Sequence, residues 1–387
     1  MRSTSHLGGR WIASLSGLAA LLAGACTSSE VAGDAAAESA GARADTAGTV
    51  VAAYQGTETD PPSEGPRGQR GKDVWVVSCG QLLESCAAPA AAFEDAGEVL
   101  GWDVTVFDGK LDPAEFGNGI RSAIAADADG IVLGAIDCEP TSSALREARE
   151  AGIPTVAYYS VDCDDPSVGG QSLFTAEVNL GSGHETYPEA VREWAATRAG
   201  WVIDRLDGQG KVIDFRLRDA AVPRIIGEAF TEAMDTCADC EVEVVESTAP
   251  ELIGGTFAQK VASALQQNPD ARALHFPVDA LMQFANAPLQ ESGRMSDMHV
   301  IAGEGFEANL DLIREGGTQD AALAIPSDWT GWAAADVLNR LFAGEAEIPE
   351  SGIGWTLIDA EHNLPASGPY HPEHDFESAF RDIWSDR

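Results

Sequence analysis

From Lys72 onward the chain alternates short, continuously apolar runs with amphipathic stretches of helical period, and it does so twice over. The first block has apolar runs at 74–77, 102–107, 130–136 and 154–159, separated by helical patterns at 89–100, 113–126 and 141–151. A strand at 174–178 and a long helix at 183–206 lead into the second block. There the strands fall at 211–217, 241–246, 272–276, 299–302 and 321–325, with helices at 223–236, 255–267, 279–291 and 307–315. A strand with one solvated face alternates apolar and polar residues, whereas a strand covered by helices on both faces is apolar throughout. Val74-Trp75-Val76-Val77 and Ile131-Val132-Leu133 are of the second kind, at the βα spacing of a parallel sheet. The expected fold class is α/β: two doubly wound parallel-sheet lobes with a ligand cleft between them. In such sheets ligands sit beyond the carboxyl ends of the strands.

Ahead of this pattern, Arg2 and Arg10 precede an apolar run at 11–23, and the small residues Gly24 and Ala25 precede Cys26. Basic start, short apolar centre and small-residue cleavage site identify residues 1–25 as a secretory signal. The run is too short for a membrane span. Leu22-Ala23-Gly24-Ala25-Cys26 resembles a bacterial lipoprotein box, with Ala23 where Leu is usual. That resemblance implies an acylated Cys26 and a chain held at the outer face of the cell membrane, or in the periplasm, by a lipid anchor only. Residues 26–71 then read as the lipidated cysteine and a disordered tether, being rich in small and acidic residues without sustained apolar periodicity.

The chain carries 62 acidic against 24 basic side chains, a formal net charge of −38. Such a surface repels nucleic acid and anionic head groups, so no nucleic-acid partner is expected. Setting Cys26 aside, the remaining cysteines form three close pairs along an exported chain: Cys79 with Cys86, Cys138 with Cys163, and Cys237 with Cys240. Three local disulfides are the simplest account in an oxidising compartment. Zinc would need two suitably spaced pairs, and a redox role for Cys237 and Cys240 is disfavoured because they fall late in an expected helix rather than opening one.

Three stretches carry a family resemblance: Asp129-Gly130-Ile131-Val132-Leu133 followed by Ala151-Gly152-Ile153-Pro154-Thr155-Val156-Ala157; Gly210-Lys211-Val212-Ile213-Asp214 leading to Arg224-Ile225-Ile226-Gly227-Glu228-Ala229-Phe230; and Asn268-Pro269-Asp270-Ala271-Arg272-Ala273-Leu274 followed by Asp279. In their order and spacing the chain resembles a type I periplasmic binding protein of the ribose-binding kind, the substrate-binding lipoprotein of a sugar ABC transporter. The resemblance implies three crossings between lobes, near 178–179, 325–327 and 343–349. Lobe one is then 72–178 plus 326–348, and lobe two 179–325. Residues 349–387 form a C-terminal strand and an extension packed on the lobes, where Phe376, Phe380 and Trp384 at helical spacing read as a packing stripe.

By position, Arg224 matches an arginine that binds ligand hydroxyls in sugar-binding relatives, and Glu304 falls where those relatives carry Asp. Asp279 matches a ligand acid but reads more readily as the cap of the helix starting there. The departures are also informative. Tyr159-Ser160 stands where the ribose pattern has Asp-Arg, Val278 replaces an Asn, Ile325 replaces a Gln, and Gln81-Leu82-Leu83-Glu84 replaces an aromatic pair. Tyr158, Tyr159 and Trp329 read either as an aromatic wall for a ring or as packing residues. Gln81, Glu84 and Asp137 sit on loops expected to face the cleft. Asp162, Asp164 and Asp165 read as a solvated acidic loop rather than a calcium site, because no EF-hand spacing accompanies them.

Neither a Walker loop nor a Gly-x-Ser-x-Gly elbow is present, and no histidine pairs with a nucleophile. No enzyme activity, cofactor or metal is expected. The resemblance implies a monomer that binds a small solute, most readily a sugar, and delivers it to an ABC permease by cleft closure. The alternative is a sensor module that signals to a membrane histidine kinase.

Overall fold

The computed structural model describes residues 48–181, 183–345 and 347–385. The expected signal, Cys26 and residues 27–47 lie outside the described residues. No described helix is long and apolar enough to cross a membrane.

Two sheets carry the fold. The first has five strands in the order β2-β1-β3-β4-β5, all paired in parallel. It is built from β1 (Asp73–Ser78), β2 (Asp103–Asp108), β3 (Gly130–Gly134), β4 (Thr155–Tyr158) and β5 (Ala176–Glu177), with α2 (Glu84–Leu100), α3 (Pro113–Ala125) and α4 (Cys138–Ala151) as crossovers. The second has six strands in the order β11-β10-β9-β8-β6-β7. Its strands are β6 (Gln209–Leu217), β7 (Asp239–Ser247), β8 (Ala271–His275), β9 (His299–Glu304), β10 (Ala321–Ala324) and β11 (Thr356–Asp359), of which only β11 runs antiparallel, against β10. Around it lie α5 (Tyr187–Arg205), α6 (Ala221–Met234), α7 (Ala249–Ile253), α8 (Thr256–Gln267), α9 (Asp279–Ser292) and α10 (Glu307–Arg314). The chain leaves the first sheet after Glu177, returns after β10 as α11 (Ser327–Ala343) packed on α2, and goes back to the second sheet as β11.

Local chemistry explains these elements. Every residue of β3 is buried, as a strand covered on both faces requires. By contrast β7 ends its sheet and carries Glu241, Glu243 and Glu246, charges that discourage edge-to-edge pairing. Asp112 caps α3 by accepting the Ala114 N–H at 2.9 Å, with Pro113 in the first turn. The stripe Phe376, Phe380 and Trp384 lies on α12 (Phe376–Trp384) and is buried against α11, with Trp332 and Trp384 stacked at 5.6 Å.

The structure corrects several sequence expectations. Residues 48–71, read as the end of the tether, are packed: 48–55 form α1, and Val50 and Ala53 are buried in the core. The segment has no periodicity because it is held by partners far along the chain. Helix α2 begins at Glu84, with Pro89 inside it, since Cys86, joined to Cys79, belongs to the first turn. Asp162 is buried and accepts the N–H groups of Cys163, Leu173 and Phe174, so it organises its loop instead of being solvated. Cys237 lies beyond α6 and Cys240 within β7, so this pair closes a helix-to-strand turn. Disulfides join Cys79 to Cys86, Cys138 to Cys163, and Cys237 to Cys240. The one cluster of metal-ligating residue types among the described residues, Cys138, Asp162 and Cys163, has both sulfurs in a disulfide.

Candidate functional site

Three strands end in non-glycine residues with left-handed backbone: Ala135 after β3 (φ 55°), Tyr159 after β4 (φ 53°) and Glu304 at the end of β9 (φ 79°). Such conformations cost free energy and persist where surrounding structure enforces them. All three lie at carboxyl ends of parallel strands, where ligands bind.

In lobe two, Asp279 and Glu304 clasp each other's backbone. The Asp279 N–H donates to Glu304 Oε2 at 2.8 Å. Asp279 Oδ2 accepts from the N–H groups of Gly305 (2.8 Å) and Phe306 (3.0 Å). Asp279 therefore does not cap its own helix; Val278 is the N-cap and makes no side-chain bond. Burial pushes Glu304 up to about 7, opposed by the Asp279 N–H and by Arg198. Burial and the neighbouring Glu304 push Asp279 up as well. Asp279 Oδ1 is buried and has no partner.

Arg198, on α5, is a buried cation that acts on both acids of this pair. Its Nη1 donates to the carbonyls of Phe276 (3.1 Å) and Pro277 (3.0 Å), and its guanidinium lies 3.8 Å from the Trp194 ring centroid. Its Nε and Nη2 are buried without partners. Burial lowers it to about 9, against the pull of Glu304, Asp279 and Asp214. An arginine wholly inside the protein, with unused donors beside two acids, is a polar centre that a solute or water can complete.

Facing this pair from lobe one is Tyr159, whose hydroxyl lies 2.9 Å from Thr330 Oγ1. Its ring centroid is 6.3 Å from that of Tyr187, at the start of α5. Burial raises both phenols well above their ordinary value, with Glu304 adding to the rise. Tyr158 is buried beneath, and Gly134 is required there: a Cβ would lie 2.3 Å from the Tyr158 hydroxyl oxygen.

Asp137 bridges the lobes. Its Oδ1 accepts the Val161 N–H at 3.1 Å, and its Oδ2 accepts the N–H of Ala221, first residue of α6, at 2.7 Å. Burial pushes Asp137 up, while these N–H groups and Arg224 hold it down. Asp137, a lobe-one acid, thus meets the N-terminus of a lobe-two helix, where the helix dipole favours negative charge. Burial also pushes Glu84, first residue of α2, up, opposed by the backbone N–H of Glu307, first residue of α10.

The remaining predicted residues are placed less centrally. Arg224 is partly exposed and pairs with Glu228 at 3.5 Å, with Asp137 within its field. Gln81 is exposed, and its side chain donates to Ser78 Oγ at 2.8 Å on its own lobe. One face of the Trp329 ring is stacked on Phe376 at 5.2 Å, a packing contact with the C-terminal helix. Sequence reading missed Arg198 and Tyr187. The available signal was an arginine inside the apolar stretch Trp194-Ala195-Ala196-Thr197-Arg198-Ala199-Gly200-Trp201, where a solvated charge has no place.

Two predominantly parallel sheets whose strand ends meet across an acid-lined boundary define a two-lobed binding protein. The chain matches the family model of a periplasmic binding protein domain over residues 86–346, and it belongs to that family, in the type I form. The fold is also that of solved structures. An ABC transporter solute-binding protein from Agrobacterium vitis, bound with α-D-tagatopyranose, aligns with TM-score 0.67 at 16% identity, covering 78% of this chain and 100% of that one. One from Mycobacterium smegmatis with bound glycerol gives 0.64 at 20%, covering 78% and 100%. A glucose-galactose binding protein from Geobacillus stearothermophilus gives 0.64 at 15%, covering 77% and 100%. The family is extracytoplasmic, and these structures are solute-binding proteins rather than enzymes.

Proposed function

We propose that this chain is a lipid-anchored, monomeric receptor, attached through Cys26, that captures a small polyhydroxylated solute and presents it to an ABC permease by closure of its lobes. The observation that carries the reading is the Asp279–Glu304 pair beside Arg198, opposite Tyr159. Asp279 Oδ1 has no partner and, with the Glu304 carboxyl, can accept hydroxyl donors; a guanidinium donates to hydroxyl oxygens, and a tyrosine ring covers the apolar face of a sugar. The bound polyol or sugar reported for solved relatives agrees with that chemistry. Closure follows because a solute touching both lobes stabilises only the closed arrangement. Arg224 and Asp137 stand at the edge of the same boundary.

The test is a thermal-shift panel of sugars and polyols on the chain from Gly48, since residues 48–71 belong to the folded unit. A solute at a hundred times its Kd stabilises by about 2.7 kcal/mol. A rise in melting temperature that disappears in Glu304→Gln and Asp279→Asn supports the reading. A rise that survives both substitutions unchanged refutes the assignment of this pair.

A further inference from the structure

Three passages of chain between lobes are made by the fold itself, after β5, before α11 and before β11. Two more are added at its ends. At the N-terminal side, α1 docks on lobe two: Tyr54 donates through its hydroxyl to Asp359 at 2.5 Å, and Asn363 donates to the Tyr54 carbonyl at 2.8 Å. Residues 57–59 then run beside the segment that leads into β11. The Thr57 N–H donates to the Trp355 carbonyl (3.1 Å), the Trp355 N–H to Thr57 Oγ1 (2.9 Å), and the Thr59 N–H to the Gly352 carbonyl (3.0 Å). Residues 64–71 finish on lobe one. Arg340 donates to the Glu64 carbonyl at 2.6 Å, the Gln69 N–H to Asn339 Oδ1 at 2.7 Å, and Trp102 Nε1 to the Gln69 carbonyl at 2.6 Å.

The C-terminal tail crosses in the same sense. The Tyr370 N–H donates to the carbonyl of Gly305, next to Glu304, at 3.0 Å on lobe two. Its hydroxyl donates to Glu58 at 2.8 Å, and Glu58 also accepts from Thr356 at 3.0 Å. The tail then pairs His374 with Asp60 (3.3 Å) and ends as α12 on lobe one, where Trp384 Nε1 donates to Asp336 at 2.9 Å. The two added passages are bound to each other: Glu58 meets Tyr370, and the Gly68 N–H donates to the Trp384 carbonyl at 3.1 Å. Their seat is shaped for close approach. A Cβ on Gly354 would lie 2.4 Å from the Glu58 nitrogen, and one on Gly352 2.8 Å from the carbonyls of Thr59 and Asp60.

We propose that residues 56–71 and 360–375 form a brace across the hinge that restricts how far the lobes open and ties that restriction, through Tyr370 and Gly305, to the loop carrying Glu304. A hinge opens by dihedral change in a few crossing residues. Hydrogen-bonded backbone laid across that hinge must break or slide before the lobes part. The inference rests on the two-lobed fold and not on which solute binds.

The test uses the full chain, with Gly354→Ala to unseat residues 57–58 and Tyr370→Phe to remove the hydroxyl that joins the two passages. Amide hydrogen exchange is followed at Val178 and Ile325, whose N–H groups donate to Ala157 and Glu304 at the crossings. Small-angle scattering gives the radius of gyration alongside. With the brace weakened, these two amides exchange about tenfold faster and the radius of gyration rises, while amides of β3 and β6 keep their protection. Hinge exchange equal to that of the parent chain in both variants overturns the proposal. So does equal acceleration in β3 and β6, which marks a global loss of stability.

Discussion

Asp279 and Glu304 hold each other's loops: the backbone N–H of Asp279 donates to Glu304 Oε2 at 2.8 Å, while Asp279 Oδ2 accepts the N–H of Gly305 at 2.8 Å. Glu304 ends β9, and Asp279 opens α9 just beyond the adjacent strand β8. Its geometry makes each acid both a candidate solute acceptor and the support of the other.

Asp279→Ala leaves the buried N–H groups of Gly305 and Phe306 without an acceptor. Unsatisfied buried donors cost about 1–3 kcal/mol each. The expected loss is about 2–4 kcal/mol of unfolding free energy, read by denaturant titration. A loss below about 0.5 kcal/mol would show that the loop finds other partners.

Glu177 lies at the end of β5, beside the first crossing, with Oε1 buried and unpartnered. Burial, reinforced by Asp162, Asp164 and Asp165, pushes it up to about 8. Its folded value lies above its unfolded value, so the folded state binds the proton more tightly. The associated stability is complete below about pH 4.5 and is lost as pH rises through about 8. Glu177→Gln should remove this decline, on the order of 2–4 kcal/mol. Parallel stability–pH curves for parent and variant between pH 5 and about 9 would contradict the assignment.

His275 is buried, stacked on Phe230 at 3.8 Å, with Nδ1 bonded to Asp214 at 2.7 Å. Burial lowers it to about 4 in spite of that carboxylate. The sign is opposite to that of Glu177: the unfolded chain binds the proton more tightly, so stability is present above about pH 6.5 and is lost as pH falls toward about 4. Titration of the imidazole by nuclear magnetic resonance near its ordinary value would refute this.

Asp137→Ala removes the acceptor for the first N–H of α6, a bond that joins a lobe-one acid to a lobe-two helix. We expect a larger radius of gyration and weaker solute binding, because the approach of the lobes loses a bond made between them. An unchanged scattering profile would make Asp137 a local support of Val161 alone.

Reduction should act chiefly through Cys138–Cys163, whose loop of 25 residues is the longest of the three disulfides. Chain-entropy arguments assign it about 3 kcal/mol. A Cys138→Ala, Cys163→Ala chain that melts no lower than the parent would place that stabilisation elsewhere.

The alternation of apolar runs and helical patterns determined the α/β fold and nearly every strand, because strand burial and helix amphipathicity are local in sequence. Phe376, Phe380 and Trp384 were legible as a packing stripe for the same reason. The acid at 304 was visible by position; its partner Asp279 read as a helix cap, since nothing local shows that its carboxylate reaches Gly305, 26 residues on. Arg198 gained its meaning only when α5 brought it against the carbonyls of Phe276 and Pro277, 78 and 79 residues away. Residues 56–71 are polar and aperiodic and read as tether. They are ordered by bonds such as the one Arg340 donates to the Glu64 carbonyl and the one Asn339 accepts from the Gln69 N–H, across 276 and 270 residues. A segment without an apolar face of its own takes its order from whatever surface the rest of the chain builds, and that surface exists only after the lobes have folded.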